Sequence, residues 1–427
     1  MVAGIIIGAS IFVQPSEINR HVPNIPAMLG VWLAAGILTL FGALVCAELS
    51  SAFPRTGGVY VFLKETLSPA CGFLWGWAMF WSVHSGIIAA SSVIFARYVG
   101  YFIPLDDAGT RAVSIAGILL LSGVNYLGVR QGSVLQTTVT SAKLLAIVLL
   151  LAMVFAFGAR AAASAPAAVA LPVSFREFVL GISAGLFAFG GWHMVAYAAG
   201  ETRNPKQTIP RALLIGVLMV TACYVALNAA YLYLLPLDRV SSSTRIAADA
   251  AGVLAGSRGS AAVSVLVIIS SVGVLNGVIL AGPRMYLAMA NEGLAFRWLG
   301  AIHPRFHTPY VAIAIQALWS SFLVATGTYR ELFTRVVYTE WLFFALMTFG
   351  LFRLRRSSSY SPAWRAWGYP LVPLVFLTAA VVVSAISISA NPLQAATGLA
   401  LVILGLPVYH LWTRTRRAEA LIAHADH

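Results

Sequence analysis

Charge is the scarcest component of this 427-residue chain: lysine, arginine, aspartate and glutamate make up 10% of positions, against 60% hydrophobic residues. Soluble domains carry about a quarter charged residues, so this composition and a mean hydropathy of +0.86 exclude that class and place the chain in lipid. Cysteine is nearly absent. Cys46, Cys71 and Cys223 each fall inside an apolar stretch, with no CxxC or metal-ligand spacing, which removes a disulfide framework and a zinc site and leaves packing. No HExxH motif or Asp-rich cluster occurs in the apolar runs, so a membrane-embedded enzyme has none of its usual chemistry here, and no cofactor is implied. A cleavable signal peptide is also missing, since the first apolar run is followed by further runs and not by a polar domain.

Acidic residues are the rarer sign, 14 against 27 basic ones, for a net charge of +13. In a soluble chain that would suggest nucleic acid; here the basic residues sit in short loops between apolar runs and report topology instead. Runs long enough to cross ~30 Å of hydrocarbon fall at 2–18, 28–53, 70–103, 112–128, 134–158, 176–199, 211–235, 260–290, 309–326, 332–352, 369–390 and 394–412, which predicts twelve helices. The stretch 57–67 is too short and polar to span, and is expected to lie on the membrane surface or re-enter it. Alternate loops differ in charge. Those holding Arg55, Lys64, Arg203, Lys206, Arg353, Arg355 and Arg356, with the tail, are strongly basic; the others are nearly neutralised by residues such as Glu17, Asp106, Asp107 and Glu177. The basic set is expected on the cytoplasmic side, with both termini there. The Ala-rich stretch 159–170 reads as an outer loop without chemistry.

Two helices contain residues that do not belong in mid-membrane. The first reads GIIIGASIFVQP, Gly4 to Pro15, with small residues at 8–10; the sixth reads GLFAFGGWHMVAY, Gly185 to Tyr197, with a break expected at 189–191. A small-xxx-small pair at Gly4 and Gly8 would also serve plain helix packing. Interior glycine costs about 1 kcal/mol in a helix, however, and the two interruptions stand five helices apart, at corresponding places in the segments 1–158 and 176–353. That spacing points to an inverted-repeat transporter with a binding site at the midplane. Backbone exposed there must line a cavity or be buried in protein. The free N–H groups of a half-helix suit a carboxylate and its free carbonyls an ammonium, so an α-amino acid is the leading substrate.

At these residues the chain resembles the amino acid–polyamine–organocation superfamily, and within it the L-type amino acid transporters. GIIIGASIFVQP with AELSSAFPRTGGVYVFL (Ala47 to Leu63), GLFAFGGWHMVAY with ETRNPKQTIPRAL, LNGVILAGPRMYLAMANEG (Leu275 to Gly293) and EWLFFALMTFGLFRLRR (Glu340 to Arg356) carry the likeness almost end to end. The resemblance implies an all-α, LeuT-like fold of five plus five helices with two more at 369–413, then a tail, 414–427. It implies a substrate carboxylate on the amides of Gly8, Ala9 and Ser10 and an amino group on carbonyls near Ile6, Ile7, Phe187 and Ala188. Phe187 matches the family's gating aromatic, and Gly190, Gly191, His193 and Trp341 would line the side-chain pocket. Lys143, a lysine some ten residues into the fifth apolar run, is costly unless hydrated or paired. It matches the lysine that takes the place of sodium in L-type carriers, which implies sodium-independent exchange or uptake of neutral L-amino acids. The alternative on the same fold is a proton-coupled amino acid or polyamine importer or antiporter; a non-transporting sensor would carry a longer tail or signalling domain.

Three departures from that family stand out. Ser10 replaces the usual glycine. The first half-helix, Met1 to Ile7, reaches only about 10 Å of the roughly 15 Å from midplane to surface, which suggests a start upstream of Met1. The loop Pro104 to Arg111 has no cysteine for a disulfide-linked heavy chain, so a stand-alone carrier, monomer or homo-oligomer, in the cytoplasmic membrane is expected. Four further residues are open. Glu48 reads either as a gate pair with an arginine or as a proton site. Glu340 either faces the cavity or pairs with Arg335 near the surface. His193 reads as substrate contact or core and His84 as core, while Glu201 is expected to help close the inner gate.

Overall fold

The computed structural model describes residues 6–128, 145, 147–156 and 172–413, and the regular structure among them is helical. Lys143 and the tail 414–427 lie outside the described residues, as does the side chain of Glu201. A 3-10 turn at Ser10–Phe12 leads into Gln14–His21 (α1), followed by Ile25–Ala52 (α2), Val59–Thr66 (α3) and Pro69–Ala78 (α4). A π turn at Met79–Val83 joins α4 to His84–Val99 (α5), and Asp107–Leu127 (α6) and Ile147–Ala156 (α7) come next. Phe175–Ala188 (α8) continues after a break into the 3-10 segment Trp192–Glu201. Pro205–Leu234 (α9), Leu237–Ser242 (α10), Ile246–Asn291 (α11), Tyr310–Thr326 (α12), Tyr329–Arg355 (α13), Leu371–Ala390 (α14) and Pro392–Ile403 (α15) complete the order.

Among the described residues nine stretches are long and apolar enough to cross a membrane. They correspond to nine of the twelve apolar runs. The runs at 2–18, 134–158 and 309–326 appear as the interrupted segment at the amino end, the partly described α7, and α12 with its 17 residues. The helices start where side chains can absorb free N–H groups. Asn24, Ser68, Asp106 and Ser174 each accept an N–H of the first turn, and Thr328 with Glu331 forms a reciprocal capping box on α13.

One stretch is helical beyond the sequence expectation, and another, expected on the membrane surface or re-entering it, is a helix packed within the protein. The chain before 260 is helical back to Ile246, with Ala255 and Gly256 out of helical geometry between the two parts; its alanines favour helix although the segment is too polar to span. The stretch 57–67 forms α3, whose residues Val59 to Leu63 are buried against α13, α4 and the Trp192–Glu201 segment.

Burial sorts inner helices from outer ones. The spans Pro69–Val99, Phe175–Tyr197 and Tyr329–Arg355 are mostly buried, whereas only a third or less of Asp107–Leu127, Leu371–Ala390 and Pro392–Thr413 is buried. The exposed positions of α6 include Leu119, Leu120, Val124 and Leu127, the surface expected of a lipid-facing helix. Helix α2 packs along α9, α13 along α14 and α5 along α11, while α1 packs against α8, so the two interrupted segments are neighbours.

Candidate functional site

The first interruption begins at Ile7. Gly8 N–H folds back onto the Ile6 carbonyl at 2.6 Å, and helical hydrogen bonding resumes only through the Ser10–Phe12 turn and α1. The second runs from Phe189 to Gly191, where Gly191 adopts φ +88°, a left-handed conformation that glycine enters without strain. One side chain joins them. The buried Tyr224 hydroxyl, on α9, lies 2.9 Å from the Ile6 carbonyl and 3.1 Å from the Ala188 carbonyl, the two carbonyls that end the half-helices. Trp32 and Phe189 hold its ring edge-on at 5.6 and 5.0 Å.

Between the interruptions lies a small cavity. Ile6, Gly8, Ala9 and Ser10 form one wall and Phe187, Ala188, Gly190, Gly191 and Met194 the facing one. Ile87 and Ser91 of α5, Val274 and Val278 of α11, and Val336 and Glu340 of α13 close the sides. Glu340 supplies an ionisable group to an otherwise apolar and hydroxyl-lined wall. It sits near the middle of α13, 3% exposed. Its Oε1 is 3.5 Å from His193 Nδ1, too far and too poorly aligned for a hydrogen bond.

Toward the α1 end the cavity is covered by Phe187, whose ring packs against Phe333 at 5.5 Å and Tyr329 at 6.4 Å. Tyr329 donates to Gln14, Gln14 donates to the Ala184 carbonyl, and Glu17 binds Arg330 at 2.7 Å, so α1, α8 and α13 are tied together there. At the opposite end Glu292, just past α11, accepts hydrogen bonds from Tyr60 and from Lys64, the latter at 2.8 Å. Burial acts to raise the Glu292 carboxyl, but the bonds from Lys64 and Tyr60 and the nearby charges of Lys64 and Arg55 outweigh it and hold the group below the usual carboxylate range. Near that end the fully buried Glu48 makes a bidentate pair with Arg355, at 2.7 and 2.6 Å, and also accepts the Ala366 N–H.

The structure thus gathers Ile6, Gly8, Ala9, Ser10, Phe187, Ala188, Gly190, Gly191 and Glu340 around one space. Three residues expected in the pocket do not line it, and Ile7 is buried within the first break. His193 lies behind the wall, with its ring against Trp75, Trp192, Tyr197 and Phe344. Trp341 points to Phe376 of α14 because adjacent helical residues diverge by about 100°, so with Glu340 facing inward Trp341 faces out. Of the two readings of Glu48, the arginine pair is the one present. Glu340 faces the cavity and makes no ion pair with Arg335, while His84 is buried in the core. Tyr224, Ser91 and Met194 went unnoticed in the sequence because each is an ordinary residue of an apolar helix, and only the fold aims them at the breaks.

A profile of the family described as "Amino acid permease" matches residues 1–407. The chain belongs to that family. The permease is 31% identical over 415 residues to the serine/threonine exchanger SteT of Bacillus subtilis (strain 168), covering 96% of this chain and 94% of that protein. It is 27% identical to the cystine/glutamate transporter of Homo sapiens, over 96% of this chain and 83% of that one. Against the Asc-type amino acid transporter 1 of Mus musculus the figures are 29%, 96% and 79%. The permease is therefore a multi-pass membrane protein of an amino acid transporter family and not an enzyme.

Proposed function

We propose that this permease carries neutral L-amino acids across the cytoplasmic membrane by alternating access, as a sodium-independent exchanger or uptake carrier. The observation that carries the reading is the meeting of two interrupted half-helices at one cavity, bridged by a single hydroxyl. The substrate carboxylate lies on the amides of Gly8, Ala9 and Ser10, with Gly8 N–H turning from the Ile6 carbonyl to meet it. The ammonium lies on the carbonyls around Ile6, Ile7, Phe187 and Ala188, with a lone pair of the Ile6 carbonyl released as Gly8 N–H turns to the carboxylate. Phe187 covers the substrate from outside, and Lys143 acts as a tethered cation in place of sodium. The exchange named for SteT, and the 31% identity to it, support exchange of small neutral substrates.

This reading includes the finer architecture: a LeuT-like pair of inverted repeats, 1–158 and 176–353, with two added helices and twelve spans in all. The α3 end is cytoplasmic, with both termini on that side. It is tested by counterflow in proteoliposomes against the twenty amino acids, putrescine and agmatine, with and without sodium. Sodium-independent trans-stimulation by neutral amino acids is expected; absence of trans-stimulation by any amino acid, or strict sodium dependence, overturns it.

A further inference from the structure

One cavity residue has no part in holding the backbone of an amino acid. Glu340 faces the cavity, yet its side chain is only 4% exposed and that of His193, 3.5 Å behind it, is fully buried. Neither ring nitrogen of His193 nor Oε1 of Glu340 has a hydrogen-bond partner, and among the described residues no lysine or arginine pairs with the carboxyl. We propose that Glu340 and His193 form a proton site at the back of the amino-acid cavity, which takes up and releases one proton per substrate carried. The proposal rests on the carrier reading above.

Charge bookkeeping inside low-dielectric protein supports one proton and no other number. With one proton, as carboxyl plus imidazole or as carboxylate plus imidazolium, the pair has no net charge and suits the closed, buried arrangement; a second proton would bury a net charge, and the unprotonated pair is reached only where movement of the His193 segment lets water in. Transfer within the pair breaks the O–H bond as the N–H bond forms, and the proton leaves from the imidazole to water.

The neighbours supply a way out. The His193 ring packs at 5.6 Å on Tyr197, whose own ring lies so close to the Gly58 backbone that a Cβ there would meet it. Gly58 follows the exposed Arg55 and Thr56, so this row leads from the back of the cavity to the α3 end without crossing the substrate's place. Along it the Tyr197 hydroxyl and Trp75 Nε1 have each other as polar neighbours, and both nitrogens of His84 are buried without partners, the kind of polar site that ordered water fills. Other titratable groups on the packed elements are engaged elsewhere or uncharged. Tyr60 and Lys64 of α3 hold Glu292, Glu48 of α2 holds Arg355, and Arg97 of α5 lies over Tyr329. Glu177 of α8 holds His21, Tyr286 of α11 is buried, α2 adds the thiol of Cys46, and α14 and α15 have no ionisable side chain.

Substrate and proton are linked by the hinge. Glu340 rides on α13, whereas His193 follows Gly191 by two residues on the segment beyond the second break. Movement of that segment changes the separation of the pair, and with it the hold on the proton.

The test uses the full chain in sodium-free proteoliposomes with an entrapped pH dye and an amino acid active in counterflow. In wild type, net uptake into vesicles free of internal amino acid moves about one proton per substrate, and an inward gradient of one pH unit concentrates substrate about tenfold. In Glu340→Gln and His193→Gln the protons moved per substrate fall at least about fivefold, a ratio that any measurable turnover permits. Counterflow without any net uptake under an inward pH gradient, or net uptake with no proton movement, overturns the proposal and leaves the carrier reading intact, and so does an unchanged proton ratio in Glu340→Gln. Absence of counterflow by any amino acid overturns the carrier reading itself, and the proton site with it. Should either variant fail to fold, the wild-type proton ratio decides.

Discussion

Replacing Tyr224 by phenylalanine removes one oxygen at the point where the two half-helices meet, and the consequence can be worked from the geometry. The hydroxyl has a single proton, so at any moment it donates to the Ile6 or the Ala188 carbonyl, 2.9 and 3.1 Å away. In the variant the Ile6 carbonyl keeps the Gly8 N–H at 2.6 Å, while the Ala188 carbonyl loses the hydroxyl. A net hydrogen bond is worth roughly 0.5–1.5 kcal/mol, and a buried group left unpaired costs about 1–3 kcal/mol. The ring keeps its contacts with Trp32 and Phe189, so no cavity term is added. The break is then held less firmly by about 1–2 kcal/mol, a factor of about 5–30 in the population of the binding-competent arrangement.

The assay is counterflow in proteoliposomes, with the half-saturating substrate concentration as the readout. It should rise about 5–30-fold in Tyr224→Phe, while the protein elutes as a single species from size-exclusion chromatography in detergent. An unchanged value would mean that the hydroxyl does not organise the site. A lower value would be more instructive, because it would show that the hydroxyl competes with the substrate ammonium for these carbonyls. Either result refutes the reasoning.

Further predictions address the supports of the site. Glu48→Gln leaves the Arg355 guanidinium beside a neutral amide in a pair of which the glutamate is wholly buried, and should lower stability by about 2–4 kcal/mol, read as a lower unfolding temperature in detergent; an unchanged transition refutes it. Because Glu292 titrates below the ordinary carboxylate range, its contacts with Lys64 and Tyr60 are complete at neutral pH and fail only as pH falls through that lowered value. With Glu292 40% exposed, the link is worth about 1 kcal/mol or less after screening. In a Cys46→Ser, Cys223→Ser background, Glu292→Gln should raise maleimide labelling of the half-buried Cys71 about two- to fivefold at pH 7, whereas the Glu292 protein should show that rise only in acid. Gly191→Ala places a side chain at φ +88°, at a cost of about 1–2 kcal/mol, and should slow exchange; wild-type rates would show that the left-handed turn is dispensable.

The parts of the site that were legible in sequence are those where a residue is wrong for its surroundings. Gly190 and Gly191 are poor helix formers in an apolar run, and Glu340 is a carboxylate in one, so each announces itself without a fold. Tyr224 does not: a tyrosine in a spanning helix is ordinary, and its role comes from α9 lying across both breaks. Helical register decided between Glu340 and Trp341, and sequence alone does not supply the register of an inner helix whose faces are nearly all apolar. The same holds for α3, whose length and polarity suggested the surface although its apolar residues are buried against α13. Hydropathy locates spans better than helices, so the alanine-rich start of α11 falls outside the apolar run at 260–290.

The distribution of strong and weak contacts indicates what can move on the transport reading. Both ends of the cavity are closed, and by links of the same modest kind. Arg330 with Glu17 and Tyr329 with Gln14 stand at one end, and Lys64 and Tyr60 with Glu292 at the other. The ion pairs with a solvent-exposed partner contribute about 0–1 kcal/mol each and the buried Tyr329–Gln14 hydrogen bond about 0.5–1.5 kcal/mol, so either end opens for a few kcal/mol, within what differential substrate binding supplies. Glu48 and Arg355 are different, since their bidentate pair is largely shielded from solvent and fastens α2 to α13. Helix α2 is packed along α9, and α13 along α14, which makes these four helices a frame. The segments free to tilt within it are α1 and α8, each bordered by break residues. Tyr224 sits on the frame and touches a carbonyl of each moving segment, so the hydroxyl whose removal is predicted to weaken binding is also the point about which both segments would turn.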